Sequence, residues 1–161
     1  MTSMTDPTDA LVSFQQAYLD GEIRLQQAKL DPDLFVFADK PGPGLVRLTY
    51  VRLDGKTVKA FVNAMPADFV DGLPCFQLGV AVPVKYRNKG YAKSTLTSAI
   101  AEMENGFSRT GVIPSFYVEG IVSVDNEPSK RASAATISSS PTAVTDKESG
   151  LPALQYLRKI G

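Results

Sequence analysis

The residues best suited to chemistry gather in one short stretch, YRNKGYAKST, residues 86–95, where Arg87, Lys89 and Lys93 surround a lone glycine, Gly90. The stretch follows an apolar run and opens a helical pattern. A helix start offers unpaired backbone N–H groups and the positive end of the macrodipole, which together suit phosphate oxygens. Gly90 lets the backbone come close to a ligand where a Cβ would obstruct it, and Arg87 and Lys89 add formal charge beside that cradle. The chemistry on offer is the holding of a diphosphate. The competing reading is a solvated basic turn around Lys85, Arg87, Lys89 and Lys93. The strand-to-helix junction favours the ligand over an isolated charge run.

Composition narrows the field. Lys plus Arg and Asp plus Glu are both 17 in 161 residues, so no global field draws the chain towards nucleic acid or anionic lipid, and neither is expected as a partner. There is no histidine, which removes the commonest general base and metal ligand and every Ser-His or Cys-His pair; no metal is expected. The single cysteine, Cys75, excludes an internal disulfide, fits a reducing compartment and reads as a small buried hydrophobe. The opening MTSMTDPTDA lacks the basic start and apolar stretch of a secretory signal, so the cytoplasm is the expected location. Length and a 43% hydrophobic content predict one self-folding domain over 1–161.

Two well-known phosphate loops fail against the same letters. The nucleoside-triphosphate loop needs an upstream glycine and Gly-Lys-Ser/Thr, whereas here Ala92 precedes Lys93-Ser94. The dinucleotide fingerprint needs three glycines, and only Gly90 is present.

The positioning elements follow from periodicity. Pro7 after Asp6, with Leu11, Phe14, Tyr18 and Leu25 at helical spacing, predicts a core-facing helix over about 8–29 in an N-terminal helical segment 1–30; Gly21 weakens it or divides it in two. Strands and a hairpin fill 34–83. A short strand is expected near 34–38, then LVRLTYVRL and TVKAFVNAM paired across Asp54-Gly55, with Val58, Ala60, Val62 and Ala64 on one side. CFQLGVAVP is the strand that leads into the basic loop. Ala92, Leu96, Ile100 and Met103 trace the following helix to a C-cap at Asn105-Gly106. Residues 115–124 form a strand expected parallel to 75–82, and Asn126 opens a short helix to roughly Ile137. The Ser/Thr-rich stretch 133–145 ends that helix and gives a small strand over 142–145 rather than a linker, and residues 142–160 close the chain as a hairpin.

Arg-x-x-Gly-x-Ala, residues 87–92, resembles the coenzyme A loop of the GNAT superfamily of N-acetyltransferases, Gln/Arg-x-x-Gly-x-Gly/Ala between a strand and a helix. Asn126 and Ser129 in VSVDNEPS match the asparagine and small residue that follow the next strand in that family. The resemblance runs from about Cys75 to the C-terminus, with the Leu45 to Met65 hairpin consistent with it; the N-terminal third matches poorly.

The resemblance implies an α/β (α+β) fold of the acyl-CoA N-acyltransferase type: a mixed, mostly antiparallel sheet with a central parallel strand pair and helices on both faces. It implies acetyl-CoA as co-substrate and an amine-bearing acceptor, small molecule or protein. Transfer would proceed by direct attack in a ternary complex; a homodimer stays open. Backbone groups of Val80, Ala81 and Val82 would hold the pantetheine arm. Arg87, Asn88, Lys89, Gly90, Tyr91 and Ala92 would surround the diphosphate, with Asn126 and Ser129 opposite. The family's parallel strands splay at the thioester, often through a β-bulge, and Gly79 is a candidate to relieve the backbone there.

An amine nucleophile must lose a proton and the departing thiolate must gain one. The position that often carries the family's glutamate is Ile121 here, which leaves Glu119 as the candidate base, against the alternative of a lysine-paired strand carboxylate. The family's tyrosine acid falls at Ser133; Tyr117 and Tyr156 are substitutes, each also a good sheet residue. A non-catalytic acyl-CoA-binding or protein-interaction domain explains the missing acid and base equally well.

Overall fold

The computed structural model describes residues 7–161. Its frame is an eight-stranded sheet in the order β1-β2-β3-β4-β5-β6-β8-β7. The strands are β1 (Gln26–Gln27), β2 (Phe35–Gly42), β3 (Leu45–Asp54), β4 (Thr57–Val70), β5 (Leu73–Ala81), β6 (Phe116–Ser123), β7 (Thr142–Thr145) and β8 (Pro152–Ile160), with helices α1 (Pro7–Leu19), α2 (Tyr91–Thr110) and α3 (Glu127–Thr136). Every strand pairing is antiparallel except β5 with β6. That one exception follows from α2, which crosses over between the two strands and returns the chain in the same direction.

Helices cover both faces. On one, Leu96, Ala99, Ile100 and Met103 of α2 meet Tyr50, Val62, Ala64, Leu78 and Val118, and α3 adds Ala132. On the other, Leu11 and Phe14 of α1 pack on Val51, Val58, Phe61 and Ala81. Tyr50 and Val51 are neighbours on β3 yet serve opposite cores, as the two-residue period of a strand requires.

The expected hairpin is present, with Asp54 opposite Thr57 and Gly55 at φ 62 in the turn. Its side-chain pattern needs a correction. Arg52 pairs with Ala60 and Leu53 with Val58, so Lys59 is an extra residue that forms a bulge. The bulge reverses the pleat, and Val58 joins the α1-side cluster while Val62 and Ala64 face α2.

Three further expectations change. The helix over 8–29 ends at Leu19, because Gly21 at φ 76 takes the left-handed conformation that closes a helix; residues 22–25 carry no regular structure and Gln26–Gln27 becomes a short edge strand. Asp6, read as part of the helix start, lies outside the described residues, as does most of the segment read for a secretory signal. Helix α2 does not stop at Asn105-Gly106 but runs to Thr110, ahead of Gly111 at φ 70. The Phe107 ring, stacked on Phe76 and edge-on to Phe116 at 5.1–5.3 Å between centroids, gives the last turns something to pack against. Finally, Gly79 carries no bulge: it pairs in regular register with Asn63, and a Cβ there would lie 2.6 Å from Asn63 Oδ1 and 2.9 Å from Pro7 Cγ. Its missing side chain lets the start of α1 sit down on the sheet.

Arg52 ties the start of α2 to the sheet. The side chain is 10% exposed and donates to Asp31 Oδ2 at 3.0 Å, the Ser94 carbonyl at 3.2 Å, Ser98 Oγ at 3.1 Å and Thr95 Oγ1 at 3.2 Å. Burial works to raise the Asp31 carboxyl, but the Asp33 amide, the Arg52 guanidinium and the Ser98 hydroxyl outweigh it and hold that carboxyl below its ordinary value.

Candidate active site

The parallel pairing of β5 with β6 is short. It covers Cys75 with Tyr117, Phe76 with Val118 and Gln77 with Glu119, and then ends. Strand β5 runs on to Ala81 against β4, and β6 runs on to Ser123 against β8. Each strand stays held by its outer neighbour, so a gap opens between residues 78–81 and 120–123.

Beyond Ala81 the chain makes a 3-10 turn at Val84–Tyr86, extends through Arg87, and turns through Asn88 at φ 63 and Gly90 at φ 80 into α2. The Tyr86 hydroxyl donates to Asp54 Oδ2 at 2.9 Å, which raises the phenol above its ordinary value and fastens the turn to the β3–β4 hairpin. Tyr91 meets Tyr86 edge-on, and the Lys59 ammonium sits 4.8 Å from the Tyr91 ring centroid. The amide of Ser94 bonds to the Gly90 carbonyl at 3.0 Å as the first helical bond, so the amides of Tyr91, Ala92 and Lys93 begin the helix without intrahelical partners.

A cavity of about 640 Å³ lies at this point, within the range of small-molecule and cofactor sites. Val80, Ala81 and Val82 of the β5 end, Tyr86 to Asn88, Gly90 to Lys93, and Asn126, Pro128, Ser129, Arg131 and Ala132 of α3 line it, with Thr8 of α1 at its edge. Ten of the eleven residues that the sequence points to for the cofactor are thereby brought together; Lys89 is exposed on the loop and does not line the space. Arg87 donates from Nε to the Val82 carbonyl at 2.8 Å, which fixes its base and leaves the terminal nitrogens to a ligand. Asn126 accepts from the Ser129 amide at 3.2 Å, so it caps α3 while facing the cavity. The donor set is three helix-start amides, two arginines and a lysine with no lining carboxylate, which suits an anionic ligand.

The three catalytic candidates do not converge. Glu119 stands at the last paired rung before the gap, about 10 Å along the strand from the level of Val80 by strand rise, and accepts from Gln155 Nε2 at 2.6 Å. Among the described residues it pairs with no lysine. Tyr117 lies one strand period further back, and its hydroxyl donates to Asp71 Oδ2 at 3.1 Å; burial first, then Asp71, raises the phenol. Both face away from the Phe116, Val118 and Val122 side of β6. Ser133 is on that other side, buried in α3, with Oγ 3.5 Å from where a Cβ on Gly120 would sit. Tyr156 is buried in the α2-side core. Cys75 is buried beside Glu119 and Asp68, and burial with those charges pushes its thiol up to about 12.

Sequence reasoning missed Thr8, Tyr86, Pro128, Arg131 and Ala132 as lining residues. For the last three the signal was available, since they fall on one helical face with Asn126's cap and Ser129, but only the placement of α3 beside the α2 start gives that face a cavity to line.

No protein-family model and no curated protein matches the chain. Solved structures do. A GNAT-family acetyltransferase from Streptococcus pneumoniae superposes over 98% of this chain and 96% of its own, with a TM-score of 0.53 and 15% identity. This is the GNAT fold. A ribosomal-protein-S5-alanine acetyltransferase from Vibrio fischeri matches with a TM-score of 0.51 and 12% identity, over 71% of this chain and 61% of its own. RimL, a ribosomal L7/L12 α-N-protein acetyltransferase in complex with coenzyme A, matches with a TM-score of 0.50 and 14% identity, over 71% and 62%. The chain thus spans less than two thirds of the length of the latter two. Among the described residues, no helix is long and apolar enough to cross a membrane, and no three His, Cys, Asp or Glu side chains gather to hold a metal.

Proposed function

We propose that the chain is an N-acetyltransferase that takes an acetyl group from acetyl-CoA and delivers it to a primary amine in a ternary complex. One observation carries the reading: the carboxylate-free, cationic cavity at the start of α2 is lined by Val80 and Ala81 at the end of β5, on the stretch that runs on unpaired with β6 after Gln77. The amides of Tyr91, Ala92 and Lys93, with Arg87, would hold the diphosphate. Asn88, Lys89 and Gly90 shape the loop around it. The edge of Val80, Ala81 and Val82 would receive the pantetheine arm, with Asn126 and Ser129 as the opposite wall.

Acetyl-CoA supplies the acetyl group as a thioester, and the products are an amide and a free thiol. The chain's own part is to bind, orient and move protons. Unpaired amides on the β5 edge can polarise a carbonyl, as preorganised donors do at an oxyanion. Glu119, at the floor of the gap, is the carboxylate offered to accept the amine proton, directly or through water. Ser133 and Tyr117 are the hydroxyls offered for protonating the thiolate, with Ser133 across the sheet from Glu119.

The engagement of Tyr117 with Asp71 and the burial of Ser133 favour a second reading, an acyl-CoA-binding domain without turnover. Calorimetry with coenzyme A, followed by thiol release from acetyl-CoA against a panel of amines, tests both. Heat with thiol release supports the transferase; heat without it supports the binding domain. Absence of heat, with no thermal stabilisation by coenzyme A, leaves a protein-interaction domain of the same fold.

A further inference from the structure

The cavity holds more positive charge than a diphosphate requires. Arg87, Lys93 and Arg131 line it and no Asp or Glu does, in a chain whose net charge is zero. A diphosphate diester carries two negative charges, which Arg87, Lys93 and the partial positive charge of the α2 start already match. Arg131 comes from the second turn of α3 and lines the same cavity. It is exposed and forms no ion pair among the described residues. Its neighbour Lys130 is occupied, donating to Glu127 at 2.8 Å and to the Val124 carbonyl at 3.0 Å. Glu127 also feels the Arg131 charge, but only Lys130 bonds to it, and Arg131 lines the cavity.

We infer that Arg131 binds a second anionic group of the same ligand, the ribose phosphomonoester of coenzyme A, and so distinguishes coenzyme A from dephospho-coenzyme A. The inference rests on the coenzyme reading above. A phosphomonoester with a second pKa of about 6 carries roughly −1.5 to −2 at pH 7, and its three terminal oxygens fit the fork of a guanidinium. The diphosphate lacks that titration, so the two anions can be told apart by pH.

The experiment is calorimetric titration of coenzyme A and of dephospho-coenzyme A into the wild-type chain, Arg131→Gln and Arg131→Lys, at pH 7.5 and 5.5. The wild type should prefer coenzyme A about tenfold at pH 7.5, and less at pH 5.5. Arg131→Gln should weaken coenzyme A by that factor and leave dephospho-coenzyme A unchanged, with Arg131→Lys between. Equal weakening of both ligands, a preference that survives in Arg131→Gln, or a wild type without preference would each overturn the inference while leaving the coenzyme reading intact. Lack of heat from either ligand with wild-type protein would remove that reading and this inference together. Arg131 is exposed, and matched melting curves check that its variants fold.

Discussion

Replacing Gly90 by alanine tests whether backbone conformation, rather than side-chain charge, makes the cradle. Gly90 sits at φ 80, and a Cβ built there has no protein atom within 4 Å. A steric clash inside the folded chain is therefore absent, and the penalty is the left-handed conformation itself, roughly 1–2 kcal/mol for an alanine. For a domain of this length that corresponds to a fall in Tm of about 2–8 °C. If the loop escapes the strain by moving to negative φ, the amides of Tyr91, Ala92 and Lys93 turn away from the cavity, and each charge-assisted bond lost weakens coenzyme A about tenfold or more. Gly90→Asn is the control, because asparagine tolerates the left-handed region and should recover much of the stability. Differential scanning calorimetry gives the first quantity and titration calorimetry the second. Wild-type melting and wild-type affinity in Gly90→Ala would refute the reasoning. An asparagine variant as unstable as the alanine variant would refute it too, since the cost would then not be conformational.

Glu119→Gln should lower kcat for acetyl transfer at least 100-fold while leaving coenzyme A affinity unchanged, in initial-rate and titration measurements; unchanged kcat would remove Glu119 as the base. Arg52→Met should destabilise the fold by about 2–4 kcal/mol in urea, because it leaves Asp31 without its partner and frees the first turns of α2 from β3. Asp31 ionises near 3.9 when unfolded and lower when folded, so its contribution is present above about pH 4 and lost as pH falls through the depressed value. Acid titration of stability should accordingly be shallower in Asp31→Asn, and an identical acid limb would count against the pairing. The Cys75 thiol, buried and pushed up to about 12, should react with a disulfide reagent at pH 8 only after denaturant is added. Rapid labelling of the folded chain would show that the strand edge at Cys75 is open.

Much of this protein is local and hence legible in its residues. The β-branched runs with Asp54-Gly55 between them specify a hairpin, because tight turns demand positive φ and alternation demands a sheet. Gly90, between an apolar strand run and a helical period, marks the strand-to-helix turn, since glycine takes the positive φ found there without strain. Asn126 before Glu127-Pro128 marks a helix start by capping chemistry alone.

What the residues could not decide depends on partners distant in sequence. Whether Gly106 or Gly111 ends α2 was settled by Phe107 finding Phe76 and Phe116, and the face of Val58 by a bulge at Lys59 that no period reveals. The gap between β5 and β6 exists because β4 and β8 hold those strands apart after Gln77 and Glu119, a consequence of pairing on the outer edges. For the same reason Arg131 became part of the cavity, and Glu119 and Ser133 came to lie on opposite sides of the sheet. Secondary structure is written in neighbouring side chains, but which surfaces confront one another is fixed only when the whole sheet has closed.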